Sequence, residues 1–246
     1  MSKLNLKETY SRFVGLLSKH PGLPEPLQTA IGGEFEAFGI IECEMLRFYG
    51  LEPHHDLVDV GCGSGRLAIP LSREHRGGYL GTDLVEELLD YARARCGRPD
   101  WRFEAVDHVR IPAADESADM VCFFSVLTHV LHEHSYLYLE EARRVLKPGG
   151  RIVFSFLEFA DPSHWAVFET TLDDTRGPNV HPLNVFIERA VIRCWSQRLN
   201  LPVVEIRDGA DPFVPLKEPV RLEGGEVLSG QGMLGQAICV LEKPRD

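Results

Sequence analysis

The feature that most limits what this chain can become is VDVGCGSGR, Val58 to Arg66, where an apolar run feeds directly into three alternate glycines. Gly61, Gly63 and Gly65 follow a buried strand and open a helix, and without a Cβ they let backbone N–H groups approach a ligand closely. This is a nucleotide-type turn. The dinucleotide fingerprint GxGxxG requires glycine at position 66, but Arg66 stands there and the spacing is the tighter GxGxG. The balance moves away from NAD, although an NAD-dependent oxidoreductase would share the strand, the turn and the helix.

Beyond the turn the pattern alternates between strand and helix. GYLGTDL (Gly78 to Leu84) reads as a second strand, and Val85, Leu88, Leu89, Ala92 and Cys96 then recur at helical spacing. WRFEAV (Trp101 to Val106) and DMVCFF (Asp119 to Phe124) are the third and fourth strands. EARRVL (Glu141 to Leu146) ends a helix before a turn at KPGG, and RIVFSFL (Arg151 to Leu157) is the fifth strand. Ile187, Val191, Trp195 and Leu199 mark a late helix, and VVEIR (Val203 to Arg207) and AICVLE (Ala237 to Glu242) supply two final strands. The sum is an α/β fold with a doubly wound, seven-stranded, mostly parallel sheet.

Two segments stand outside that alternation, and one residue interrupts it. Lys3 to Gly50 reads as helical, broken at HPGLPEP (His20 to Pro26), and forms an N-terminal helical cap over residues 1–50, part of the same domain as 51–246. Asp161 to Asn184 is polar and rich in Pro, Gly and Asp, and reads as a long loop that either shapes a pocket or is a surface insertion. Pro70 forces the helix after the glycine turn either to start late or to kink.

Two acids sit where such a sheet meets ligands. Asp83 ends the second strand, the position from which a carboxylate accepts hydrogen bonds from a ribose diol. Asp107 follows the third strand similarly, within reach of an adenine edge. Either acid alone equally fits a helix cap or a turn.

Composition narrows the partners. A formal charge of −11, with no basic run carrying interleaved aromatics, opposes binding to phosphate backbones, so no nucleic acid partner is expected. No apolar stretch is long enough to cross a bilayer, and the opening MSKLNLKETYSRF lacks a signal-peptide core, so no membrane partner and a cytoplasmic location are expected. The six cysteines are scattered without CxxC or zinc spacing and read as free thiols, with no metal site.

Through VDVGCGSGR, GTDL, the acid in FEAVD and the stretch EEARRVLKPGGRIVFSF, the chain resembles the class I S-adenosylmethionine-dependent methyltransferases, most closely over residues 57 to 160. IGGEFEAFG (Ile31 to Gly39) and SVLTHV (Ser125 to Val130) look like segments of a bacterial subgroup linked to polysaccharide or secondary-metabolite methylation. The resemblance implies a Rossmann-like methyltransferase fold whose last strand is antiparallel, with S-adenosylmethionine as cofactor of the 51–246 domain. It implies that Gly61, Cys62 and Gly63 lie against the methionine part and that Asp59 helps hold its ammonium region. It further implies that Asp83 and Leu84 lie at the ribose and adenine, that Asp107 and His108 edge the adenine, that Ser125 lines the site and that Phe35 closes over it from the cap.

Methyl transfer from a sulfonium is an in-line displacement, which needs alignment in a water-poor site more than any fixed catalytic motif. A hydroxyl acceptor gains from a general base near neutral pKa. His129, directly after the fourth strand, is the candidate; it fits equally a structural histidine bonded to a loop. His132, Glu133 and His134 are expected on the exposed start of the next helix, and His164, Trp165 and His181 either contact the acceptor or are ordinary loop residues. A small-molecule acceptor, a sugar or a secondary metabolite, is the expected partner. The motifs concern binding more than chemistry, so a non-catalytic protein that binds S-adenosylmethionine satisfies them too.

Overall fold

The computed structural model describes residues 6–17, 26–176 and 183–245. In chain order the elements are α1 (Leu6–Leu17), α2 (Pro26–Thr29), α3 (Phe35–Phe48), β1 (Leu57–Val60), α4 (Ala68–Leu71), β2 (Tyr79–Asp83), α5 (Glu86–Cys96), β3 (Arg102–Ala105) and β4 (Ala118–Phe123). They continue with α6 (His132–Val145), β5 (Leu146–Phe156), a 3-10 turn at Pro162–His164, α7 (Trp165–Arg176), α8 (Arg189–Leu199) and β6 (Val203–Arg207). Four two-residue strands follow, β7 (Val214–Pro215), β8 (Val220–Arg221), β9 (Val227–Leu228) and β10 (Gln231–Gly232), before β11 (Ala237–Glu242). No helix among the described residues is long and apolar enough to cross a membrane.

The seven-stranded sheet has the order β3-β2-β1-β4-β5-β11-β6. β1, β4 and β5 run parallel to one another, as do β2 and β3, while β11 runs antiparallel to both of its neighbours. The seven expected strands and the reversed last strand are all present. The chain clusters into two compact units.

One unit draws on Met1–His55, Cys62–Asp107 and Pro212–Leu234. All five residues of β2 are buried, as expected of a strand covered on both faces. In α5, Leu88, Leu89 and Ala92 are buried, Glu86 and Glu87 stand in the first turn, Arg93 and Arg95 in the last, and Gly97 closes it at φ 61°. Charge therefore follows the helix dipole at both ends, and the left-handed residue that ends the helix is the one with no Cβ to clash. α4 is a single turn: Leu67 precedes it, and Pro70, which has no N–H to return to the Arg66 carbonyl, is its third residue. That is the late start allowed by the sequence. Gly39 of α3 packs on the same carbonyl, since a Cβ there would come within 2.2 Å of the Arg66 oxygen. The small sheets β7–β10 and β8–β9 have no counterpart in the sequence reading, and Gly232 of β10 packs against Ile41 of α3.

The other unit comprises Asp56–Gly61, His108–Asp211 and Gly235–Asp246. Phe123, Phe154 and Phe156 are fully buried among β4, β5 and β11. Two expectations are corrected here. KPGG is not a free turn between helix and strand: α6 stops at Val145, β5 begins at once, and Pro148 to Gly150 bulge out of it, so that Leu146 pairs with Ala118 while Arg151 pairs with Met120. Gly149, at φ 81°, donates its N–H to Lys243 O at 2.8 Å and so fastens the bulge to the end of β11. The long loop from Asp161 is the other correction, because it contains the 3-10 turn and the twelve-residue α7. Its start signal was present in DPS: the Asp161 side chain accepts from Ser163 N at 2.9 Å and Pro162 takes the first helical position.

Candidate active site

In the first unit the glycine turn is tied to the end of β2. Cys62 N–H donates to Thr82 O at 2.9 Å, Gly63 N–H donates to Asp83 Oδ2 at 3.0 Å, and Val85 N–H donates to Asp83 Oδ1 at 3.0 Å. Asp83 thus receives one donor from the turn and one from the entry to α5. Its carboxyl is buried, and desolvation pushes its pKa up to about 6 against the pull of the N–H groups of Val85, Gly63 and Leu84. A carboxylate offers about four lone-pair sites, so capacity remains for hydroxyl donors.

Gly63, at φ 54°, sits on Ile31, whose Cγ2 would lie 2.6 Å from any added Cβ. Ile31 and Leu84 belong to one apolar cluster with Tyr10, Val14, Leu27, Ala30, Val85 and Leu88, which packs α1 and α2 on the start of α5. Burial and the nearby Asp83 carboxylate raise the Tyr10 phenol far above its ordinary value. Phe35 is buried at the start of α3. Cys62 has its N–H engaged by β2 and its thiol packed against Gly81, so it fastens the turn instead of presenting a side chain outward. Asp107 is exposed two residues past β3, and Val106 N–H donates to Asp83 O at 2.9 Å, carrying the β2–β3 ladder up to it.

In the second unit the parallel strands β1, β4 and β5 bring their carboxyl ends to one edge. Gly61 follows β1 at φ 73°, where an added Cβ would lie 2.4 Å from Val126 Cγ2. Asp59 is buried in β1, 3.6 Å from the Cys122 thiol of β4. Ser125, just past β4, holds φ 57°, a left-handed conformation costly for a residue with a Cβ. It is held there at both ends, by its N–H to Ser155 Oγ at 2.7 Å and by its Oγ accepting from Gln236 Nε2 at 3.1 Å. His108 is exposed.

His129 is half-buried, and its Nδ1 lies 2.6 Å from Leu183 O. A carbonyl accepts only, so Nδ1 carries the proton and Nε2 is left as an acceptor. Burial pulls the imidazole pKa below its ordinary value, with the Leu183 carbonyl opposing. The segment 183–187 is itself fixed, because Val185 N–H donates to Thr128 O and Ile187 N–H to Leu157 O, each at 2.7 Å.

His132, Glu133 and His134 are exposed in the first turn of α6, as expected, and His132 Nε2 lies 3.0 Å from Phe186 O. His164 is a buried staple: Nδ1 lies 3.0 Å from Glu158 N and Nε2 lies 3.2 Å from Gly235 O, which uses both ring nitrogens and leaves none for an acceptor. Trp165 is exposed on α7, and His181 lies outside the described residues.

Residues 58–154 match the model of a family described as a methyltransferase domain. The chain is 31% identical over 180 residues to methyltransferase GfsG of Streptomyces halstedii, covering 71% of this chain and 60% of that protein. It is 33% identical over 123 residues to a demethylmenaquinone methyltransferase of Tropheryma whipplei, covering 49% and 47%. Similarity of 30% over 112 residues extends to the 27-O-demethylrifamycin SV methyltransferase of Amycolatopsis mediterranei, covering 44% and 40%. The chain thus spans 40% to 60% of the length of these curated relatives. Among solved structures, the magnesium protoporphyrin IX methyltransferase of Synechocystis with bound S-adenosylhomocysteine superposes with a TM-score of 0.58 at 15% identity, covering 96% of this chain and 93% of that one. A methyltransferase of Methanosarcina mazei gives 0.61 at 15% identity, covering 82% and 98%.

Proposed function

We propose that the chain is a class I S-adenosylmethionine-dependent methyltransferase that transfers a methyl group to an oxygen or nitrogen of a small molecule, a reading supported by the methyltransferase-domain match over residues 58–154 and by the relatives named above. The observation that carries this reading is Asp83, a buried carboxylate that receives the N–H of Gly63 from the glycine turn. A buried acid held by backbone N–H donors at a strand end is prepared for hydroxyl groups such as a ribose diol.

The residues present fit the cofactor. Gly61 and Gly63 hold positive φ with Val126 and Ile31 packed where a Cβ would stand, so this turn accepts only glycine there, and Asp83 keeps acceptor capacity at the carboxyl end of β2. S-adenosylmethionine, when bound, supplies an electrophilic methyl on a sulfonium. Gly61, Cys62 and Gly63 would lie against its methionine part, and Asp59 would help hold the ammonium region. Asp83 and Leu84 would lie at the ribose and adenine, Asp107 and His108 would edge the adenine, Phe35 would close over the cofactor from the cap, and Ser125 would line the site through its backbone.

His129 then takes the acceptor's proton. Its Nδ1–H is fixed on Leu183 O, which sets the tautomer and leaves Nε2 basic, and its lowered pKa keeps it neutral at physiological pH. The acceptor is a small molecule, a reading favoured by the net charge of −11 and by the relatives whose names give small-molecule acceptors.

Calorimetric titration with S-adenosylhomocysteine and, separately, NADH on wild type and Asp83→Ala tests the proposal. Micromolar binding of S-adenosylhomocysteine that is lost in the variant supports it; binding of NADH alone overturns it. Turnover of S-adenosylmethionine to S-adenosylhomocysteine with an acceptor separates an enzyme from a protein that only binds the cofactor.

A further inference from the structure

Four aromatic side chains from three stretches of chain meet beyond the carboxyl end of β5. Phe159 and Phe186 stack at 4.4 Å between centroids and 10° between planes. Trp165 and Phe168 pack on them from the first turn of α7, with Phe168 edge-on to Phe159 at 5.2 Å and to Trp165 at 5.3 Å, and Trp165 6.0 Å from Phe159. The group is not sealed: Phe159 is 43% exposed and Trp165 47%. Large aromatic surface left open beside the ligand edge of a doubly wound sheet is a binding feature more than a folding one.

The platform is tied to the surrounding backbone. Phe186 bridges to Leu157, its carbonyl lies 3.0 Å from His132 Nε2, and Leu183 of the same segment holds His129. Phe159 N–H donates to Glu188 Oε1 at 2.9 Å. The same segment that carries one face of the aromatic group therefore also positions the imidazole.

Among the described residues, several polar side chains around the platform are engaged with one another. Arg189 grips both oxygens of the buried Glu158, at 2.6 and 2.9 Å; Glu188 holds Phe159 N–H, and Asn184 Nδ2 donates to Thr171 Oγ1 at 3.1 Å. The rings themselves bring one donor, the Trp165 indole N–H. A planar apolar ring bearing a single nucleophilic atom would stack on the platform and present that atom to His129 Nε2, with few polar atoms of its own to desolvate against the rings.

We propose that the Phe159, Trp165, Phe168 and Phe186 platform is the acceptor subsite and that it takes a planar aromatic or quinol-like ring carrying one hydroxyl, in preference to a sugar. The assignment of the ring as the acceptor rests on the methyltransferase reading above. In the transfer the acceptor oxygen forms a bond to the methyl carbon, the carbon–sulfur bond breaks with its electron pair returning to sulfur, and the hydroxyl proton passes to Nε2 of His129.

The test is equilibrium binding of 2-naphthol, with methyl α-D-glucopyranoside as the polar counterpart, to wild type, Phe159→Ala, Trp165→Ala and, as a surface control on α6, Leu137→Ala. Calorimetry is used so that loss of an indole does not alter the signal, and thermal melting confirms that each variant is folded. Trp165 is half-exposed, so its variant keeps the test open even where Phe159→Ala does not fold. The expected result is saturable 2-naphthol binding, weakened about tenfold in each platform variant and unchanged in Leu137→Ala, with no saturation by the glucoside. No saturable 2-naphthol binding, equal binding in the platform variants, or glucoside binding as tight as that of 2-naphthol would overturn the proposal. S-adenosylhomocysteine titrated on the same samples reports on the methyltransferase reading separately. Its failure to bind, with the 2-naphthol pattern intact, removes that reading and leaves the aromatic site.

Discussion

Arg66, the residue that breaks the dinucleotide glycine spacing, forms an ion pair at 2.6 Å with Glu42 of α3, and Glu42 is 1% exposed. Arg66 also donates to Gly32 O at 3.2 Å and lies 6.0 Å from the centre of the Phe38 ring. The side chain that excludes one nucleotide fingerprint therefore ties the glycine turn to α3 and to the segment before it. Burial drives the Glu42 carboxyl pKa up while the guanidinium pulls it down.

Removing one partner of a buried pair leaves a charge stranded. Arg66→Met is expected to cost about 3–5 kcal/mol of stability in urea unfolding at pH 8, and Arg66→Met combined with Glu42→Leu to recover most of it. Glu42, raised further without its partner, favours the folded state when protonated, so the deficit of the single variant shrinks as pH falls. A double variant no better than the single one would show that the pair is not the source of the loss.

Asp83 makes folding pH-dependent in an unusual direction. Its folded pKa of about 6 lies above the ordinary 3.8, so its stabilising contribution is full below 3.8 and is lost as pH rises through 6. The gap corresponds to roughly 3 kcal/mol. Wild type should therefore lose up to about that much relative to Asp83→Asn between pH 4 and 7, measured by unfolding at each pH. Hydroxyl donors favour the ionised form, so binding of S-adenosylhomocysteine at pH 6 should release a proton, detectable by calorimetry in buffers of different ionisation heat. Proton uptake would contradict the placement of Asp83 at the ribose.

The glycines of the turn are expected to separate by geometry. Gly61→Ala and Gly63→Ala place a Cβ 2.4 Å from Val126 and 2.6 Å from Ile31 at positive φ, and each should cost about 1–3 kcal/mol and abolish binding of S-adenosylhomocysteine. Gly225→Ala, also at positive φ but facing open space, should cost less and leave binding intact. Equal binding losses at all three positions would remove the cradle from the account.

His129→Gln keeps a polar side chain near Leu183 O but supplies no base of comparable strength. With a hydroxyl acceptor, kcat is expected to fall about 10²- to 10⁴-fold while S-adenosylhomocysteine binding stays unchanged. The wild-type rate should rise with pH and level off through a pKa below the ordinary imidazole value of 6.5, the direction set by burial. A pH profile unchanged in the variant would return His129 to a purely structural role.

Much of this molecule is readable from local pattern. The buried run before Gly61, the stripe from Leu88 to Ala92 and the acid closing β2 each express backbone sterics or periodicity within about ten residues. α7 was legible too: DPS is a start signal, and Trp165 and Phe168 stand three apart on its first turn, but the surrounding Pro, Gly and Asp masked them. The strands β7 to β10 carry no such signal, because two residues cannot display a period of two.

Strand content and the glycine turn with its acid follow from local sequence, since they depend on neighbours a few residues away. Long-range packing is what brings Arg66 to Glu42, fixes His129 on the carbonyl of Leu183, 54 positions later, and stacks Phe159 on Phe186. Such pairings depend on where the chain returns after a helix or a loop, and burial then sets which charges and tautomers survive. That return path is a property of the packed core, and no window of sequence contains it.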